Sequence, residues 1–209
     1  MNDSGEPVPP PGRSARDRVV GLLSGALGSA IIMTVLLGAM WAVEVVDYVE
    51  DGALDRYGIV AQDPDGLPGI LFAPFLHDGF GHLMANSVPL LILGFLAAIR
   101  GVGRFLAASL VIVLVSGAGV WLTSPPGTLT VGASGLVFGY FGYVVARGLF
   151  DRRALDILLG VVVAVLYYSI LWGALPGEPG VSWQGHLFGL IGGVLAAWLF
   201  RRRAVPERA

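Results

Sequence analysis

Six apolar runs alternate with polar, turn-rich stretches along the chain: Val19–Val43, Gly81–Ile99, Phe105–Leu122, Ser134–Leu149, Leu155–Gly173 and Trp183–Phe200. Each is roughly 16–25 residues long, enough for an α-helix to cross a hydrocarbon core of about 30 Å. The pattern predicts an all-α membrane protein, a six-transmembrane-helix bundle. Residues 1–18 are polar and rich in Pro and Gly and read as a disordered cytoplasmic tail. Residues 19–200 form the membrane domain, and residues 201–209 a basic cytoplasmic tail. A signal peptide has an apolar core of about 7–15 residues followed by a small-residue cleavage site. Val19–Val43 is longer and leads through Trp41 to Glu44, so it reads as an uncleaved first span.

The arginines orient the bundle. All basic residues are Arg; Lys is absent. Arg13, Arg16 and Arg18 precede the first run, and Arg100 and Arg104 separate the second from the third. Arg147, Arg152 and Arg153 mark the end of the fourth, and Arg201, Arg202, Arg203 and Arg208 follow the last. With six spans all four groups fall on one side and only Arg56 on the other. The positive-inside rule makes that side cytoplasmic, with both termini inside. The outer side carries a long acidic loop, Glu44 to Leu76, with Glu44, Asp47, Glu50, Asp51, Asp55, Asp63 and Asp65. The outer loops Thr123–Ala133 and Ala174–Ser182 are turn-prone, the latter with Pro176, Gly177, Pro179 and Gly180 as helix breakers.

Composition narrows the classes. The chain is 55% hydrophobic and 13% charged, against about 25% charged for a soluble domain. It lacks the basic stripe that nucleic-acid binding needs. It has no cysteine, which removes disulfides and thiolate metal sites. No cofactor is called for. The partner implied is the lipid bilayer, not nucleic acid; the oligomeric state is not specified. Arg-only basic usage with abundant Ala, Gly and Val suggests a bacterial, multi-pass protein of the plasma (inner) membrane.

Polar groups inside spans are costly and are functional candidates by default. The three histidines are His77, His82 and His186. His82 and Asn86 lie four apart, on one face of the second run. Counting back from the cytoplasmic arginines at 1.5 Å per residue places Ser134, His186 and Asn86 at a similar depth, roughly 20–22 Å up, with His82 at about 27 Å. Small residues at Gly185, Gly189 and Gly193, and at Gly135 and Gly139, allow two helix backbones to approach closely. A serine hydroxyl needs a base, and His186 can serve. Asn86, His82 and the unpaired N–H groups at the start of the fourth run are candidate oxyanion donors. Asp156 lies at the opposite end, so the arrangement reads as a Ser-His dyad rather than a triad; Glu178, in the loop before His186, is the alternative third member, although it should sit at the water surface. Two other readings compete. Three His and an Asn could bind zinc, although no carboxylate or thiolate joins them. A polar network that only fixes helix packing explains polar pairs, but not why every His falls in the outer half.

The pattern His77-x4-His82-x3-Asn86, then Gly132-Ala133-Ser134-Gly135, then His186-x-x-Gly189 resembles the rhomboid family of intramembrane serine proteases, over about Phe72 to Phe200. The resemblance implies the six-helix rhomboid fold, with Ser134 as nucleophile and His186 as general base. It implies oxyanion roles for His82 and Asn86 and a structural role for His77. It also implies substrates that are single-span membrane proteins, cut near the outer end of the helix, at small residues with helix-destabilising residues nearby. The acidic outer loop and the fifth span would correspond to the family's lipid-facing loop and substrate gate. Phe138 stands where many bacterial members carry a Tyr that stacks on the catalytic His; a phenyl ring can still stack. The family's Trp-Arg pair in the first loop is not evident, Asp55-Arg56-Tyr57 being nearest. A non-catalytic scaffold that binds transmembrane segments is the alternative, but inactive relatives usually lack the Ser or the His, and both are present.

Overall fold

The structure, a computed structural model, describes residues 15–201. Each of the six apolar runs is helical. α1 spans Ala15–Val49, α3 Gly79–Ala98, α4 Val102–Thr123, α5 Ser134–Asp151, α6 Ala154–Tyr167 and α7 Trp183–Leu199; a single turn, α2 (Gly69–Phe72), lies between α1 and α3. α6 tightens into a 3-10 helix over Tyr168–Ala174. Residues 15–18, expected in the tail, begin α1; residues 1–14 and 202–209 of the two expected tails lie outside the described residues.

Among the described residues, four segments are long and apolar enough to cross a membrane: Leu23–Val49, Gly79–Ala98, Val102–Thr123 and Ala154–Ala174. α5 and α7 are shorter, with 18 and 17 residues. They form the interior instead. Leu136 through Val144 of α5 are all buried, and the core gathers around Tyr140, Tyr143, Phe105, Leu90, Leu93 and Ile112. Meanwhile Leu27, Ile31 and Val35 of α1 and Leu158, Val161 and Val165 of α6 point outward. Apolar side chains facing out around a core that holds the polar groups suit a lipid surrounding rather than water.

In lipid, helices gain little from hiding apolar surface, so close packing and hydrogen bonds hold them together. The α5–α7 seam shows this. A Cβ on Gly189 would run into the Gly135 carbonyl, and one on Gly193 into the Gly139 carbonyl. At the seam's upper end the buried Ser116 hydroxyl of α4 donates to the Gly185 carbonyl at 2.8 Å.

Glu44 and Asp47, assigned to the first loop, lie in the last turns of α1 and are buried. The helix runs on because the Asp47 carboxylate accepts the Leu54 N–H at 2.6 Å, folding the chain back beneath it. Asp51 and Gly52 at positive φ then end it. The connection from there to α3 is ordered by short elements. A two-residue strand, β1 (Ile59–Val60), pairs antiparallel with β2 (Leu129–Thr130), Ile59 opposite Thr130 and Val60 opposite Leu129. The Trp121 indole donates to the Asp63 carbonyl and the Gln62 amide to the Ser124 carbonyl. These bonds clamp the α4–α5 loop, which leads into Ser134.

At the opposite end of the bundle Asp156, at the start of α6, is ion-paired with Arg100 and with Arg147, the latter at 3.4 Å; Arg100 also reaches Asp151 at 3.6 Å. Arg147 was expected to mark the membrane surface. It is buried instead, donating to the Leu96 carbonyl and lying over the Tyr143 ring.

Candidate active site

Ser134 is the first residue of α5, and the turn before it explains its position. Gly132 has φ +119°, which only glycine adopts without strain. A Cβ there would also lie 2.7 Å from the His82 ring. Its N–H donates to the Ala73 carbonyl at 2.9 Å. The N–H of Ala133, the helix N-cap, donates to Nε2 of His77 at 3.2 Å. His77 is buried, and burial, reinforced by neighbouring His82, lowers its pKa to about 4. It is therefore neutral at pH 7 and can accept that bond. Thus His77 anchors the residue before the serine. The first-turn N–H groups of α5, including that of Ser134, have no intrahelical partner.

His186 sits in the first turn of α7, behind the Ser182 N-cap, whose hydroxyl accepts the Gly185 N–H at 3.3 Å. Its ring stacks on Phe138 with centroids 4.1 Å apart and planes 9° from parallel. The phenyl ring thus makes the stacking contact that a tyrosine ring would make. Nδ1 of His186 lies 2.8 Å from the Gly173 carbonyl oxygen. A carbonyl only accepts, so Nδ1 carries the proton and Nε2 keeps a free lone pair.

Ser134, Phe138, His82, Asn86 and His186 line one open cleft of about 890 Å³. The Asn86 amide donates one hydrogen to the His82 carbonyl at 3.1 Å, leaving its second N–H available. His77 stays outside the cleft wall and meets His82 edge-on, ring centroids 5.2 Å apart. Gly135 and Gly189 serve the helix seam. Glu178 does not line the cleft, and among the described residues no three His, Asp or Glu side chains converge as a metal would require. The sequence offered no sign of the Gly173 carbonyl, because a backbone oxygen carries no residue-type signal. Ser116 was likewise missed, reading as one small residue in an apolar run.

Residues 65–203 match the Rhomboid domain family. Three relatives carry the name uncharacterized protein. Rv1337 of Mycobacterium tuberculosis and Mb1372 of Mycobacterium bovis are each 43% identical over 155 residues, 72% of this chain and 64% of the relative. ML1171 of Mycobacterium leprae is 40% identical over 155 residues, 72% of this chain and 61% of the relative. The match thus spans less than two thirds of these relatives' length. The chain belongs to the rhomboid family, whose members are in general serine-type intramembrane proteases. Its apolar helices and mycobacterial relatives agree with a bacterial multi-pass membrane protein.

Proposed function

We propose that this protein is an intramembrane serine endopeptidase that cuts transmembrane helices of other membrane proteins with a Ser134–His186 dyad. The observation that carries the reading is the pairing of His186 Nδ1 with the Gly173 carbonyl in a cleft that Ser134 also lines. That pairing selects the tautomer a general base needs, the task a carboxylate performs in a triad.

Nε2 of His186 takes the proton from Ser134 Oγ as the oxygen attacks the scissile carbonyl carbon. The carbonyl π electrons move to oxygen, where the Ser134 backbone N–H, the free Asn86 N–H and the His82 ring stabilise the charge. Collapse of this intermediate breaks the C–N bond, and the imidazolium returns its proton to the leaving amine. Water, activated by the same base, then hydrolyses the Ser134 ester. The open cleft supplies that water within a bundle whose outer surface is apolar. All six helices are taken to span the membrane, with both termini cytoplasmic and the Ser134 end outward; the grouping of the arginines supports this. α6 and its 3-10 extension form the gate, since few of their residues are buried.

A non-catalytic scaffold that holds transmembrane segments in the same cleft is the second reading, favoured by the size of the opening. Fluorophosphonate labelling and cleavage of a transmembrane substrate separate the two. Wild type is expected to label and cleave, and Ser134→Ala and His186→Ala to do neither while still inserting. Cleavage that survives in either variant refutes the dyad.

A further inference from the structure

We infer that this protein selects substrates whose outer juxtamembrane flank is basic, and that Asp78 is the residue that reads the flank. The inference deepens the protease reading and rests on it. Of the residues lining the cleft, Asp78 is the one with an acidic side chain, and no arginine joins it. It is exposed at the cleft mouth. Asp78 is the N-cap of α3, yet its side chain makes no capping hydrogen bond, and among the described residues no cation pairs with it. Its carboxylate makes no hydrogen bond or ion pair among the described residues, and the His82 ring, four residues on, is the one group of possible positive charge there that feels it.

The surroundings share its sign. From Glu44 to Asp78 the chain has eight acidic residues, Glu44, Asp47, Glu50, Asp51, Asp55, Asp63, Asp65 and Asp78, against the single Arg56. That arginine is engaged locally, donating to the Tyr57 hydroxyl at 2.9 Å and lying over its ring. The Asp55 carboxyl registers the excess: burial, then repulsion from Asp47 and Asp78, raises its pKa to about 6. Asp47, Asp55 and Asp78 thus lie within electrostatic reach of one another, with Asp78 on the cleft, and among the described residues no cation is ion-paired with any of them. A lysine or arginine just outside a substrate helix would relieve that repulsion, and a glutamate there would add to it. The criterion is discriminating, because most membrane proteins keep their basic residues on the cytoplasmic side.

The test uses one transmembrane substrate in three forms, with Lys, Ser or Glu at three positions of the outer flank. Each is reconstituted with the full chain in phosphatidylcholine vesicles, which carry no net charge. The Ser form reports whether the enzyme cleaves at all. At low salt the Lys form is expected to exceed the Glu form by about tenfold in kcat/KM, the sum of several exposed pairs. Near 1 M salt, where the screening length is about 3 Å, the ratio should approach one. Asp78→Asn should lower the low-salt ratio by about threefold, and Asp78→Glu should keep it. Because each ratio is taken within one variant, a general loss of activity cancels. A wild-type ratio near one, a ratio indifferent to salt, or an unchanged ratio in Asp78→Asn overturns the inference while leaving the protease reading intact. Failure to cleave any form, with no phosphonate labelling of Ser134, overturns the protease reading and this inference with it.

Discussion

Replacing Gly173 by alanine should slow the chemical step by about tenfold. A Cβ at Gly173 would lie 3.1 Å from Nδ1 of His186 and 3.2 Å from Cζ of Phe138. Both distances are a few tenths of an ångström too short for comfort, so the ring or the Gly173 carbonyl has to shift. The bond at risk is the 2.8 Å contact between Nδ1 and that carbonyl. While the imidazole is neutral, such a bond contributes about 0.5–1.5 kcal/mol; once the ring is charged, about 1.5–3 kcal/mol. His186 is neutral before attack and cationic after taking the serine proton. The difference, about 1–1.5 kcal/mol, falls on the transition state alone and corresponds to roughly tenfold in rate. Binding of the substrate helix does not involve it. The assay is cleavage of a transmembrane substrate in vesicles, with kcat and KM resolved separately. The control is Gly103→Ala, a glycine with open space around its Cβ position. The expected result is a kcat drop in Gly173→Ala with KM near wild type and a melting temperature lowered by no more than about 5 °C. A kcat within about twofold of wild type, or a loss confined to KM, would refute the claim that this carbonyl orients the base.

Two further outcomes follow from groups away from the nucleophile. Asp156→Ala leaves Arg147 buried without its anionic partner, so unfolding in detergent should become easier by about 3–5 kcal/mol; a change under about 1 kcal/mol would mean the network is not needed. His77, with its pKa lowered by burial to about 4, binds a proton more readily when unfolded. Its contribution is complete above about pH 6.5 and is lost as the pH falls toward 4, up to about 3 kcal/mol in all. Melting curves of wild type and His77→Gln across that window should converge at the acid end; parallel curves would contradict the assignment.

Much of this architecture is legible in the residues. The six helices follow from apolar runs of spanning length, and the Gly135, Gly139, Gly189 and Gly193 spacing foretells the α5–α7 seam. Ser134 and His186 stand out because a hydroxyl and an imidazole at one depth of an apolar bundle are costly without a purpose. Three things were hidden. Hydropathy cannot distinguish a helix that faces lipid from one wrapped by its neighbours, so α5 and α7 read like the rest. Asp47 looked like a loop residue because its carboxylate is satisfied by the Leu54 N–H, a partner created only by the chain folding back, and Glu44, one turn earlier, is buried with it. Arg147 looked like a surface marker because its partner, Asp156, lies on the next helix.

The Arg100–Asp156–Arg147 network also bears on the order of synthesis. Arg100 follows α3 and Arg147 belongs to α5, so both guanidinium groups are made before the ribosome reaches Asp156 at the head of α6. α6 therefore enters the membrane with its one buried carboxylate meeting cations already in place. Until then Arg147 lacks its anion, and a chain halted after α5 should be a better target for membrane quality-control proteases than the finished protein.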